Sequence, residues 1–371
     1  MEQNRMVQEF LELVAVSSPS LGERQMADIV KEKLLALGCE VEEDGVASHI
    51  GGTAGNIIAR LPGDGRGEPL MLSAHLDRVP NGDGVQPVCK DGIITSDGST
   101  ILAADDLSGV VSILEGIRKL RESGKPYGDV EIVFTVCEEN RTQGSRNLDY
   151  DKLKSKCAYC LDSPGHTGRI IHAAPTIVEL KIDVWGQSAH AGNAPEKGIN
   201  ALKAAAQILA TMEEGRLDFE TTSNWSMMQA GNVTNVVCPH ARLTGEARSR
   251  APEKVDAYID YVRRHAAEVI AQTKATHEVR VEPNVIGFCV PEEDDMLVTL
   301  CGVLRDMGIE PAVEKGGGGM DANWFNLHGI RGVGVATGYF RNHTTDEMLY
   351  VDDLLKAGEM VYRLILAFAE K

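Results

Sequence analysis

Residues 70–80 read LMLSAHLDRVP, an apolar run that ends in His75 and Asp77. Residues two apart on a strand share a face, so these two side chains can act together. Four more segments place chemistry-bearing residues in the same way. LAADDLSG opens a helical stretch with Asp105 and Asp106, and FTVCEEN carries an apolar strand into Glu138 and Glu139. YCLDSPG ends a strand in Asp162, and RNHTTDE places His343 after a late strand. Each alone has an ordinary structural explanation: a satisfied polar pair, a helix cap, a solvated acidic loop, a surface histidine. Together they bring carboxylate and imidazole to the carboxyl ends of strands, the edge at which open α/β sheets bind ligands. Such a set suits two divalent cations about 3.5–4 Å apart, which need a bridging carboxylate and further ligands on each side. Zinc takes histidine nitrogen and carboxylate oxygen, and two histidines with three carboxylates supply the count. A fourth carboxylate is then free to act as general base.

The elements that must position these residues follow from periodicity. Residues 3–16, 22–37 and 105–122 have helical apolar spacing, and strands are expected at 55–61, 69–75, 129–136 and 157–161. Strands alternating with helices predict an α/β sheet layer. Around residue 175 the texture changes. TIVELKIDVWG alternates like a half-exposed strand. A helix at 198–213, strands near 226–237 and 241–249, a helix at 252–272 and a strand near 277–284 follow. That is a self-contained β-α-β-β-α-β pattern, the ferredoxin-like arrangement. A helix at 293–307, the run KGGGGMDAN, a strand at 332–337 and a helix at 351–369 return to α/β texture. The expected organisation is a discontinuous domain, 1–175 and 289–371, with a second domain, 176–288, inserted. Residues 81–100 read as loop and hairpin.

The chain has 371 residues, enough for two domains, with 43% hydrophobic and 25% charged residues. Its net charge of −18 argues against nucleic acid and anionic membrane surfaces as partners. No apolar run approaches the roughly 20 residues that span a bilayer. The start, MEQNRMVQEFLELVAV, is acidic and amphipathic and reads as a first helix rather than a signal peptide. The eight cysteines are scattered. Cys157 and Cys160 form a single Cys-x-x-Cys without the second pair of a structural zinc site, within a stretch that reads as a buried strand. A reducing, cytoplasmic compartment is expected.

SAHLD, AADD, TVCEEN, LDSPG and HTTDE, in this order and spacing, resemble the M20 family of di-zinc metallopeptidases, in the peptidase T-like branch. The resemblance runs over nearly the whole chain. It implies a mixed-sheet α/β/α zinc-peptidase catalytic domain with an inserted α+β ferredoxin-like lid and dimerisation domain. It also implies two Zn2+ per subunit, with Co2+ or Mn2+ as substitutes, and ligand roles. His75 would bind one zinc and His343 the other. Asp105 would bridge both, Glu139 would complete one site and Asp162 the other. Asp77 would orient His75, and Glu138 would be the general base toward the zinc-bridged water. Family members hold the Asp-Asp peptide bond cis.

In the inserted domain, WGQSAHAGNAPEKGINAL resembles the family's lid segment, so His190 would stabilise the oxyanion. The same likeness implies a homodimer built through the lid. Asn235 in GNVTNVV and Arg248 in LTGEARSR would grip the substrate carboxylate, with Arg250 a lesser candidate. GGGGMDAN resembles the substrate loop, where Gly318 and Gly319 would let backbone approach the substrate. Arg78, Met320 and Asn140 depart from the family pattern, the first two at positions that would alter pocket charge and shape. The implied activity is hydrolysis of short peptides, as an aminotripeptidase releasing the N-terminal residue. The alternative is a deacylase, carboxypeptidase or dipeptidase acting on N-acyl amino acids or dipeptides through the same metal site.

Overall fold

The computed structural model describes residues 4–371. The helix expected from residue 3 thus starts outside the described residues. It runs Arg5–Val14, capped by the Asn4 side chain, which accepts the Met6 N–H at 2.9 Å. The chain divides into two compact units, Met1–Ala173 with Cys289–Gly316 and Met320–Lys371, and Ala174–Phe288 with Gly317–Gly319.

The first unit is built on a nine-stranded mixed sheet. Its centre is four parallel strands in the order Val130–Thr135, Leu70–His75, Cys157–Ser163, Arg331–Ala336. Leu70–His75 and Val130–Thr135 are buried along their whole length, as expected of parallel strands covered on both faces. Ile57–Leu61 and then Glu40–Glu43 extend one side antiparallel. Arg169–Ala174 pairs antiparallel with Arg331–Ala336 on the other side. Successive strand residues point to opposite faces. The Tyr159 hydroxyl donates to the Met296 carbonyl at 2.7 Å and its ring meets Phe368 edge-on, so one face carries Asp295–Asp306 and Val351–Phe368. Cys160 faces the other way, and Asp321–Leu327 packs on Cys157–Ser163 and on Arg331–Ala336. All eight cysteines are free, and Cys157 and Cys160 are buried.

The helix Ala104–Ser123 packs on the sheet and on Val351–Phe368. Gly109 allows this: a Cβ there would lie 2.7 Å from the Leu161 carbonyl oxygen, so only glycine lets the helix start approach the strand that carries Asp162. A smaller four-stranded sheet orders Tyr339–Phe340, Met348–Tyr350, Ile93–Thr95 and Val88–Lys90. The hairpin within 81–100 thus supports the turn that presents His343.

The second unit has a five-stranded antiparallel sheet, in the order Gly215–Arg216, Thr221–Ala230, His240–Ser249, Thr176–Trp185, Thr276–Val285. Helices Ala201–Ala210 and Pro252–Ile270 cover one face, around Leu180, Ile182, Val184, Ile208, Leu243 and Val262. The strand expected near 226–237 is displaced. It ends at Ala230, where Gly231 takes φ +65° and turns the chain, so VTNVV is loop. The periodicity does not predict several elements, among them the strands Glu40–Glu43 and Arg169–Ala174 and the helix Asp321–Leu327 behind the glycine run. Among the described residues no helix is long and apolar enough to cross a membrane.

Candidate metal centre

The four parallel strands deliver their polar side chains at their carboxyl ends. His75 is the last residue of its strand, Glu138 and Glu139 follow Val130–Thr135, Asp162 is near the end of Cys157–Ser163, and His343 follows Arg331–Ala336. Asp105 comes from the start of Ala104–Ser123, and its peptide bond to Asp106 is cis. The turns carry left-handed backbone at Ala103, Cys137 and His343 (φ +61°, +53° and +63°). Each costs about 1–3 kcal/mol in a residue with a Cβ and persists where the surroundings fix it.

Three groups of ligand atoms converge, each within 4.8 Å: His75, Asp105 and Asp162; His75, Glu138 and Glu139; Asp105, Glu139 and His343. Asp105 lies between two of them. Its Oδ1 is 3.1 Å from His75 Nε2, and its Oδ2 is 3.3 Å from His343 Nε2. His343 Nε2 is also 2.9 Å from Glu139 Oε1, and His75 Nε2 is 3.9 Å from Asp162 Oδ1.

The histidine orientation comes from an unexpected atom. His75 Nδ1 donates to the backbone carbonyl of Asp77 at 3.0 Å, while the Asp77 carboxylate is 3.5 Å away. This leaves Nε2 to face Asp105 and Asp162. The Asp77 carboxylate instead accepts the Glu138 N–H (2.8 Å), the Glu139 N–H (3.1 Å) and the Ser20 hydroxyl (2.5 Å). It therefore fixes the turn that presents both glutamates.

Electrostatics favour a cation. Burial, with Asp105 beside it, pushes Asp162 up to about 8. Burial also drives Glu138 and Asp106 well above the usual carboxylate range and raises Glu139. For His75, burial opposes the charged ring, but Asp105 and Asp77 outweigh it and raise its pKa. His343 rises to about 10 through its hydrogen bonds to Asp105 and Glu139. Burial also works against ionised Asp105, yet His343 and His75 hold it below the ordinary value. The centre thus packs more carboxylate than its two imidazoles balance. Nitrogen and oxygen lone pairs aimed at common points, with carboxylates starved of positive charge, form a donor set that fits divalent cations.

Several supporting residues gave little signal in the sequence. The Tyr339 hydroxyl donates to Asp162 Oδ1 at 3.1 Å, and Asn342 Nδ2 donates to Asp105 Oδ2 at 2.7 Å. Both lie within four residues of His343, which is the one clue to them. Arg78 is not a pocket charge. It is 2% exposed, and its guanidinium donates to the carbonyls of Val14, Val16 and Gly82 and to the Ser18 hydroxyl. It anchors the segment after Asp77 to the C-terminal end of the first helix, where a cation meets unpaired carbonyls. Burial lowers its pKa to about 10. Met320 is also buried.

The remaining sequence candidates lie in the second unit. His190 is exposed, and its Nδ1 accepts the N–H groups of Gly192 and Asn193 at 3.2 Å. The Asn235 carbonyl accepts the Ala191 N–H at 2.9 Å, which ties the two loops together. Arg248 forms a two-pronged pair with Glu246 (2.8 and 3.0 Å) and reaches the Gly317 carbonyl at 3.3 Å. A Cβ on Gly318 would meet nothing, while one on Gly319 would press against Val285.

Comparison with known proteins places these features in a family. A peptidase dimerisation domain of the M20 type matches residues 173–274, and peptidase family M28 matches residues 56–194. The crystal structure of aminopeptidase PepT from Bacillus cereus is 38% identical, covering 99% of this chain and 98% of that one, with TM-score 0.89. A tripeptidase from Staphylococcus aureus is 31% identical over the same shares, with TM-score 0.94. The uncharacterized protein YqjE of Bacillus subtilis is 36% identical over 98% of both chains. With this identity across almost its whole length, the chain belongs to the M20 family of metallopeptidases, in the peptidase T-like branch.

Proposed function

We propose that this chain is a metal-dependent aminopeptidase that releases the N-terminal residue of free tripeptides. The observation that carries the metal reading is Asp105, shared between the group with His75 and Asp162 and the group with Glu139 and His343. Those five residues would hold two cations. The mixed imidazole and carboxylate donors suit zinc, with cobalt or manganese as substitutes. When bound, such a pair lowers the pKa of the attacking water and polarises the scissile carbonyl.

The chain's own residues do the rest. Glu138, held through its N–H by Asp77, takes a proton from the attacking water and passes it to the leaving amine. Burial raises its proton affinity, which suits a base that must also act as an acid. His190 serves as donor to the developing oxyanion. Asn235 and Arg248 bind the substrate carboxylate, which would replace Glu246 as the partner of the guanidinium. Gly318 and Gly319 leave room beside the peptide backbone. The insertion 176–288 is the dimerisation domain of a homodimer, and 1–175 with 289–371 is the catalytic domain. The likeness to aminopeptidase PepT and to a tripeptidase supports the substrate class.

A panel of a free tripeptide, its N-acetylated form, a dipeptide and an N-acyl amino acid tests this. Chelator-sensitive cleavage of the free tripeptide alone is expected. Cleavage of the acylated compounds instead would move the function to a deacylase or carboxypeptidase with the same centre. Turnover of the dipeptide alone would make it a dipeptidase.

A further inference from the structure

Glu347 is a buried carboxylate, 1% exposed, for which the mechanism above has no use. Its Oε2 accepts the N–H groups of Leu102 and Ala103, both at 2.9 Å, and its Oε1 accepts the N–H of Asp105 at 3.0 Å. The helix Ala104–Ser123 begins after Ala103, which has no side chain to cap it. The first N–H groups of a helix need acceptors, and a negative charge there is favourable. Glu347 supplies the charge from a distant part of the sequence. Of its three N–H partners only that of Asp105 lies in the helix span, while those of Leu102 and Ala103 belong to the turn before it. Glu347 therefore also fixes the backbone at the left-handed Ala103 (φ +61°).

More than a cap is at stake. Glu347 closes the same turn that carries His343, and its own N–H donates to the Thr344 carbonyl at 3.2 Å. From that turn, Asn342 and His343 both reach Asp105 Oδ2, at 2.7 and 3.3 Å. The turn therefore grips Asp105 twice, by its backbone through Glu347 and by its carboxylate through Asn342 and His343.

We propose that Glu347 is a positioning residue that sets the separation of Asp105 from His343, and so the geometry of the cation group of Asp105, Glu139 and His343. The inference rests on the reading of that group as a cation site. Outer contacts that orient ligands are typically worth about 10–100-fold in metal affinity.

The test is cobalt titration of metal-free protein, read by the visible absorption of Co2+, with thermal denaturation measured in parallel. Glu347→Gln keeps the size but turns an N–H donor toward an N–H. One of the two Co2+ dissociation constants is expected to rise about 10–100-fold, with the other within about threefold of wild type. Glu347→Asp keeps the charge on a shorter arm and should weaken the same constant by less. Glu131→Gln is the control for stability. Glu131 is equally buried and accepts the N–H groups of Lys154 and Ser155, but at the opposite end of the strands. It should lower the melting temperature and leave both constants unchanged. If Glu347→Gln leaves both constants within threefold, or Glu131→Gln weakens cobalt equally, Glu347 is an ordinary helix cap and the proposal falls. If wild-type protein binds no Co2+, the reading of the site itself fails, and this role with it.

Discussion

Replacing Glu138 with glutamine is expected to lower kcat/KM for a free tripeptide by about 100–10,000-fold, the usual share of a general base. The metal content should not change. Glutamine matches the shape of glutamate, and the backbone N–H of residue 138 would still donate to Asp77 Oδ1, now 2.8 Å away. The turn that presents Glu139 would therefore hold. What is lost is the ability to take a proton from water. Steady-state kinetics with metal analysis of the same sample decides the matter. Activity within tenfold of wild type would remove Glu138 from the base role. Loss of metal along with activity would make it a ligand, a reading that its place in the group with His75 and Glu139 allows.

The second large effect is expected at Asp105. Asp105→Asn removes the charge that the group with His75 and Asp162 shares with the group of Glu139 and His343, with oxygens 3.1 Å from His75 Nε2 and 3.3 Å from His343 Nε2. Bound metal should fall below two per chain. Several kcal/mol of transition-state stabilisation should go with it, roughly 1,000-fold in rate at about 1.4 kcal/mol per decade. The backbone bond from residue 105 to Glu347 does not involve the side chain, so folding should survive. Two tightly held metals in this variant would show that the groups are independent and that Asp105 is not shared.

The strands and their polar ends were readable because parallel strands announce themselves as short apolar runs. LMLSAH and VEIVFT are such runs, and each stops where a ligand candidate begins. The centre's supporting contacts were not readable, because they depend on which loops meet. The Asp77 carboxylate reaches the Glu138 and Glu139 N–H groups only because Leu70–His75 and Val130–Thr135 are sheet neighbours. Nothing local in HLD says that the carbonyl, rather than the carboxylate, will orient His75. Arg78 looks like pocket charge in sequence, since a buried guanidinium without a carboxylate in hydrogen-bond reach is uncommon. The free carbonyls at a helix end explain it. RIIHAA did not stand out because Ile170 and Ile171 are its only large apolar residues, between Gly168, which turns the chain at φ +115°, and Pro175. VTNVV carries the β-branched texture of a strand, but Gly231 breaks it away from the ladder.

The central claim is that His75, Asp105, Glu139, Asp162 and His343 hold two divalent cations on which peptide hydrolysis depends. The most direct measurement is tripeptide hydrolysis by chelator-stripped protein as zinc is added back, with bound zinc counted at each point. The account predicts no activity in the stripped protein and restoration that is complete at two zinc ions per chain. Full activity in protein shown to be metal-free, or restoration without zinc bound to the chain, would contradict it.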